Sequence, residues 1–221
     1  MLKKLITLGL SSLFAAGSAQ AGLINPTGDI NNLNLRWGQT ESNQVQAFNE
    51  AQNVQVNENQ VQVDFLLGDN FFVGDSVRGI YNSNKNFSLA AGNYNSHLLH
   101  FDPLGTSSSS IFNTSISFEE EIVAVILGGQ TLNATDEIFG GISTTYQKNN
   151  SRRLEPHDFL TFENANTLTL DRLAVGKYWI DNARVITQAV PEPGSMALLG
   201  LGLIGLIGTR TFLSKKDSTS I

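Results

Sequence analysis

The chain contains no cysteine, so it has neither a disulfide framework nor a thiolate metal site, and its core must suffice alone. Positive charge is scarce: between Gly22 and Ala189 there are 9 Lys/Arg against 18 Asp/Glu, a formal net charge of −9. Only Arg152 and Arg153 are adjacent. With no basic stripe, nucleic acid is not an expected partner. Polyanionic matrix is repelled on average as well, which leaves neutral sugars, or sugars bridged through a cation, as expected ligands. Helical periodicity is hard to find in this stretch. What recurs is alternation at period two, with abundant Asn, Ser, Thr and Gly between the apolar positions.

The two ends have a different character. Lys3 and Lys4 precede a 12-residue apolar stretch, Leu5 to Ala16, and then Ala19-Gln20-Ala21. A basic start, a short apolar run and small residues at 19 and 21 predict a secretory signal over 1–21, cleaved by signal peptidase before Gly22. Twelve helical residues reach only about 18 Å, too short for a bilayer core of about 30 Å. At the other end, Val190-Pro191-Glu192-Pro193-Gly194 opens a run of 16 uncharged residues, Gly194 to Thr209, followed by Arg210 and then Lys215-Lys216. The prolines favour extended chain, and the run after them is apolar all round. A single spanning helix over about 194–213 follows if Arg210 snorkels, with the basic cluster on the cytoplasmic side.

This tail resembles the PEP-CTERM sorting signal, on Pro191, Glu192, Pro193, Gly194, the Gly-rich run to Gly208, and Arg210. Arg210 stands alone where that signal often has adjacent arginines. The resemblance implies processing by an exosortase at or near the Pro-Glu-Pro and delivery from the inner membrane of a Gram-negative-type bacterium to its surface or extracellular polysaccharide matrix. The expected organisation is a signal peptide (1–21), an ectodomain (22–189), a sorting signal (190–216) and a polar end (217–221).

The ectodomain, some 168 residues, is one ordinary domain able to bury roughly 70% of its unfolded surface. Gln60 to Phe65 and Thr114 to Phe118 alternate polar and apolar. Ile122 to Leu127 is a continuous apolar run, read as a central strand covered on both faces. Glu119-Glu120-Glu121 before it reads as a charged strand start that discourages edge pairing. Leu168 to Leu170, Tyr178 to Ile180 and Ala183 to Thr187 complete the set. The expected fold is all-β, an antiparallel sandwich or jelly roll. The Gln/Asn-rich stretch Asn43 to Gln62 reads as a hairpin, Val54–Val56 against Val61–Val63; the other reading is a cross-β segment that helps build matrix.

In Ser96 to Pro103, strand geometry puts His100 and Asp102 on one face, a two-ligand start for a metal that shows no third by spacing. The plainer reading turns His97, Leu99 and Phe101 to the core and leaves His100 and Asp102 outward or ordering a turn. Gly74-Asp75-Ser76-Val77 resembles the Gly-Asp-Ser block of SGNH-type esterases. Leu154, Tyr94 and His97 occupy the positions three before the histidines, where the triad needs an aspartate, so no nucleophile is activated. Trp179 to Val185 resembles the last strand of jelly-roll carbohydrate-binding modules, which implies Asp181 as a ligand of a structural Ca²⁺. Tyr178 and Trp179 are the aromatics placed to stack on a sugar. His97 to Gly105, strand 122–127, Thr131 to Asp136 and Arg184 to Thr187 together resemble an ectodomain type recurring among PEP-CTERM proteins.

The expectation is a non-enzymatic structural or adhesive surface protein. A calcium-assisted carbohydrate-binding module is the alternative, and a secreted hydrolase the remote one.

Overall fold

The computed structural model describes residues 22–80, 87–105, 109–148, 151–176 and 178–190, all within one compact unit, Gln20–Val190. The signal segment, Pro191 to Gly194, Arg210 and the expected spanning helix lie outside the described residues. Among the described residues no helix is long and apolar enough to cross a membrane.

The chain is β-rich, as its alternation predicts. Its strands are β1 (Gly28–Asp29), β2 (Asn34–Leu35), β3 (Gln46–Asn49), β4 (Val54–Val56), β5 (Gln62–Val63), β6 (Phe65–Leu66), β7 (Ser76–Arg78) and β8 (Phe87–Ser88). The longer ones follow: β9 (Gly92–Phe101), β10 (Ser109–Ser117) and β11 (Ile122–Ile126). After helix α1 (Gly129–Phe139) come β12 (Thr145–Tyr146), β13 (Phe159–Asn164), β14 (Thr167–Val175) and β15 (Asp181–Gln188). A seven-stranded sheet runs β1-β3-β9-β15-β11-β6, with β4 also on β9; a four-stranded sheet runs β10-β14-β13-β7. Pairing in both is antiparallel except β1 with β3.

One face of the large sheet meets the small sheet. Leu99, Phe101, Val125, Ala183 and Val185 pack there with Leu160, Phe162, Leu168, Leu170 and Val77. The run 122–127 contains β11, paired on both sides and buried except at the partly buried Val123, as its continuous apolar character requires.

The opposite face is covered too, by a helix that the sequence reading does not contain. Helix α1 lies in a stretch where no helical period is evident. Its buried positions are Gly129, Thr131, Leu132, Thr135 and Phe139. They recur at helical spacing, but threonine occupies the places where the period would show leucine. Its start is held by a distant carboxylate. Asp64 accepts from the N–H groups of Leu127 and Gly128, both at 2.8 Å, and from the Thr131 hydroxyl at 3.1 Å. That places negative charge where the helix exposes unpaired N–H groups.

Three further expectations are corrected. Val54–Val56 and Val61–Val63 do not pair with each other. The turn forms, with the Gln60 N–H donating to the Asn57 carbonyl, but β4 joins β9 and β5 joins β8. Val56, Val61 and Val63 still share one apolar cluster, so burial rather than cross-strand pairing unites them. Tyr178 to Ile180 is a turn leading into β15, not a strand. Glu120 is buried, accepting from Asn95 Nδ2 and the Thr187 hydroxyl, instead of forming a solvated strand start.

Candidate functional site

The face of the large sheet under α1 carries a buried ionic network. Arg184 in β15 reaches both oxygens of Glu50, Nε to Oε2 at 2.6 Å and Nη2 to Oε1 at 2.8 Å. It also donates to the Thr135 hydroxyl at 2.6 Å, the Leu132 carbonyl at 3.2 Å and Asp136 Oδ1 at 3.0 Å. Arg152 takes the other oxygen of Asp136 at 2.7 Å. Tyr146 and Ser96 complete the shell of Glu50 with hydroxyl bonds of 2.7 and 2.8 Å. Burial alone would raise the Glu50 carboxyl, but the Arg184 charge and these donors outweigh it and hold it below its usual range. Two cations thus meet two anions. These bonds fasten the helix to the sheet, while Arg152 Nε and Nη2 are buried without a hydrogen-bond partner among the described residues.

His100 and Asp102 are placed differently from the expectation. Layer coverage puts His100 wholly inside, with Nδ1 2.7 Å from Asn182 Oδ1 and Nε2 3.3 Å from the Thr40 carbonyl. Burial depresses its pKa to about 4, so the ring is neutral. Asp102 does order a turn, as the plainer reading has it, accepting from the Gly38 N–H at 2.7 Å. Among the described residues no third ligand joins the pair. Ser76 is hydrogen-bonded to Thr161, whose hydroxyl also donates to Asp171. The contact gives it no general base.

Two features remain open. The first is a cleft of about 600 Å³ where the chain enters β15, within the range of small-ligand sites. Trp37, Tyr178 and Trp179 form its aromatic walls, and Asn34, Gln39 and Gln147 supply amides. Trp37 meets Tyr178 edge to face, ring centroids 4.9 Å apart. The Arg153 guanidinium lies 5.3 Å from the Trp179 ring centre and backs that ring. Tyr178 is 53% exposed at φ +71. Among the described non-glycine residues with positive φ, the others are five asparagines and a serine. A bulky side chain held there is a local strain of the kind concentrated at binding sites. Sequence reasoning found Tyr178 and Trp179 but not Trp37, which is 141 residues away from Tyr178 in the chain and carries no local signal. A second groove, of about 510 Å³, has Tyr94 as its one aromatic and Glu58 and Asp69 in its lining.

The second open feature is a carboxylate cluster. Oxygens of Glu155, Asp158 and Asp181 lie within 4.8 Å of one another. Asp158 is oriented by backbone donors, Glu155 N–H to Oδ2 at 2.6 Å and Ala174 N–H to Oδ1 at 2.9 Å. Asp181 is 1% exposed, and neither of its oxygens has a hydrogen-bond partner. Burial, then the charges of Asp158 and Glu155, push its carboxyl well above the usual range; burial and the Asp158 charge, against the pull of Arg153, take Glu155 to about 7. The loop bearing the first two acids is pinned by Gly79, where a Cβ would come within 2.2 Å of the Glu155 carbonyl oxygen. Sequence reading singled out Asp181 alone. Glu155 and Asp158 flank a proline turn, Pro156-His157, and nothing in their spacing points across to β15.

A family profile described as the PEP-CTERM protein-sorting motif matches residues 189–210. The match takes in Pro191, Glu192, Pro193, Gly194 and Arg210. The chain thus carries this sorting motif behind a β-rich ectodomain, which implies an exported protein processed by an exosortase. No curated protein and no solved structure matches the chain.

Proposed function

We propose that the ectodomain is a non-catalytic adhesive module that holds a neutral glycan in the cleft of Trp37, Tyr178 and Trp179. Signal peptidase and an exosortase deliver it to the cell surface or extracellular polysaccharide matrix. The observation that carries this reading is the aromatic cleft itself. Indole and phenol rings offer flat faces to the C–H side of a sugar ring, and the amides of Asn34, Gln39 and Gln147 match its hydroxyls. The acidic chain charge disfavours polyanions. A sandwich with a cleft at its strand ends accords with a jelly-roll-like binding module.

The test is retention of the purified full-length chain, in mild detergent, on a panel of insoluble neutral polysaccharides. At least one should retain it and stay uncut. Trp37→Ala should weaken retention about tenfold or more, the scale of a lost aromatic contact. A chain that binds no neutral glycan, or binds one equally well without Trp37, removes the proposal.

A further inference from the structure

The cluster Glu155, Asp158 and Asp181 lies beyond the proposed glycan cleft and has its own chemistry. An isolated ionised carboxylate in a protein interior is among the costliest of buried groups, and folded chains neutralise it with a proton, a donor, an ion pair or a bound cation. Glu50 in this same molecule shows the ordinary solution, with four side-chain donor contacts. Asp181 has none, although it is buried and directed into a space shared with two more carboxylates. Both oxygens of Asp158 already accept backbone N–H bonds, so its orientation is set by donors other than Asp181.

We infer that Glu155, Asp158 and Asp181 bind a divalent cation, calcium, which fastens the 155–158 turn to the start of β15. The donor set is hard oxygen only, which selects calcium or magnesium over zinc or copper. Carboxylate oxygens within 4.8 Å of one another can all reach a single ion; calcium accepts such shells of several protein carboxylates, whereas magnesium keeps most of its waters and is rarely held by three of them. The backbone N–H bonds to Asp158 fix its orientation as outer-shell donors do around metal ligands. Gly79 keeps that turn pressed against its neighbour. Asp181 lies only two residues beyond Trp179, so the same ion would steady the turn that carries the aromatic wall.

The purified full-length chain, stripped with chelator, should bind one Ca²⁺ per chain by calorimetry. Its melting temperature should rise by several degrees on adding calcium and fall again with chelator. Asp181→Asn should abolish the calcium response while melting, metal-free, at or above the metal-free parent, because it removes the unpaired carboxyl. Should that variant fail to fold, Glu155→Gln replaces it: the residue is half-buried, and its loss should weaken calcium at least tenfold without unfolding the chain. The inference is overturned if the folded parent shows neither heat nor a melting shift up to about 10 mM calcium, beyond the range of weak extracellular sites. It is equally overturned if either folded variant binds calcium like the parent. Neither readout involves a glycan, so this inference and the adhesive reading stand or fall separately.

Discussion

On one side of the seven-stranded sheet, a single apolar cluster joins Leu99, Phe101, Val125, Ala183 and Val185 to the four-stranded sheet. On the other side, the apolar surface is split into two clusters, one around Ala124, Ile126 and Ile186, the other around Leu98 and Phe48. Arg184 stands between them, its register partners being Leu98 on β9 and Ile126 on β11. Both faces exclude water, by opposite chemistry. The first is held by area and tolerates changes that keep its volume. The second is held by a set of directional bonds, where loss of one member strands the others. Adjacent residues of one strand, Arg184 and Val185, therefore answer to different rules.

The largest break in that comparison is Arg184→Ala. It leaves Glu50 buried without its cation and should cost about 3–5 kcal/mol. Val185→Ala, one residue along, removes two methyl groups from the apolar face and should cost about 2 kcal/mol with the cavity it leaves. Adding Glu50→Ala to Arg184→Ala should recover part of the loss, because the pair Asp136–Arg152 then remains balanced by itself. Denaturant melts of the four chains measure this. An Arg184→Ala loss no larger than that of Val185→Ala would remove the distinction between the two faces.

The same contrast explains what was legible from residues alone. Strand β11 announced itself as a continuous apolar run, and part of β14 through Leu168-Thr169-Leu170, because these strands are written in leucine, valine and isoleucine. Helix α1 did not, because Thr131 and Thr135 face inward to serve Asp64 and Arg184, and a polar buried face erases the periodic signal. His100 was expected outward for the same reason: nothing in the sequence disclosed a third layer over β9. Asp181 was reached through resemblance to carbohydrate-binding modules, whereas its companions Glu155 and Asp158 come from a turn that only the packing of β13, β14 and β15 brings near. Trp37 was missed because partners across a cleft share no spacing.

A smaller effect tests the polar end of the sandwich-facing side. His97 lies between Asn49 Oδ1 at 2.8 Å and the Thr187 hydroxyl at 3.0 Å, against the Phe118 ring. Burial lowers its pKa to about 3, from 6.5. Below pH 6.5 the unfolded chain takes up a proton that the folded chain refuses, so stability is lost as pH falls from 6.5 toward 3. At pH 4.5 this amounts to about 2–3 kcal/mol relative to pH 7. His97→Gln, which keeps an amide between the same partners, should lack that component. Parent and variant melts between pH 7 and 4.5 give the difference directly; parallel curves would show that His97 is not the group responsible.

The smallest expected effect on stability falls at Tyr178 in the cleft, and there the comparison is with function. Tyr178 sits at φ +71, a conformation that costs an L-residue about 1–2 kcal/mol and glycine almost nothing. Tyr178→Gly relieves that strain. It also gives up the edge contact with Trp37, worth about 0.5–1.5 kcal/mol, and adds freedom to the unfolded chain worth up to about 1 kcal/mol. The opposing contributions nearly cancel, so the melting temperature should move little, by an amount equivalent to about 0.5 kcal/mol or less. Retention on neutral polysaccharide should nevertheless fall about tenfold, because the ring that the strain holds in place is gone. A variant that loses stability but keeps its glycan would mean that Tyr178 is there to pack. One that keeps its stability and loses its glycan would identify the strained turn as maintained for binding, unlike either buried face of the sheet.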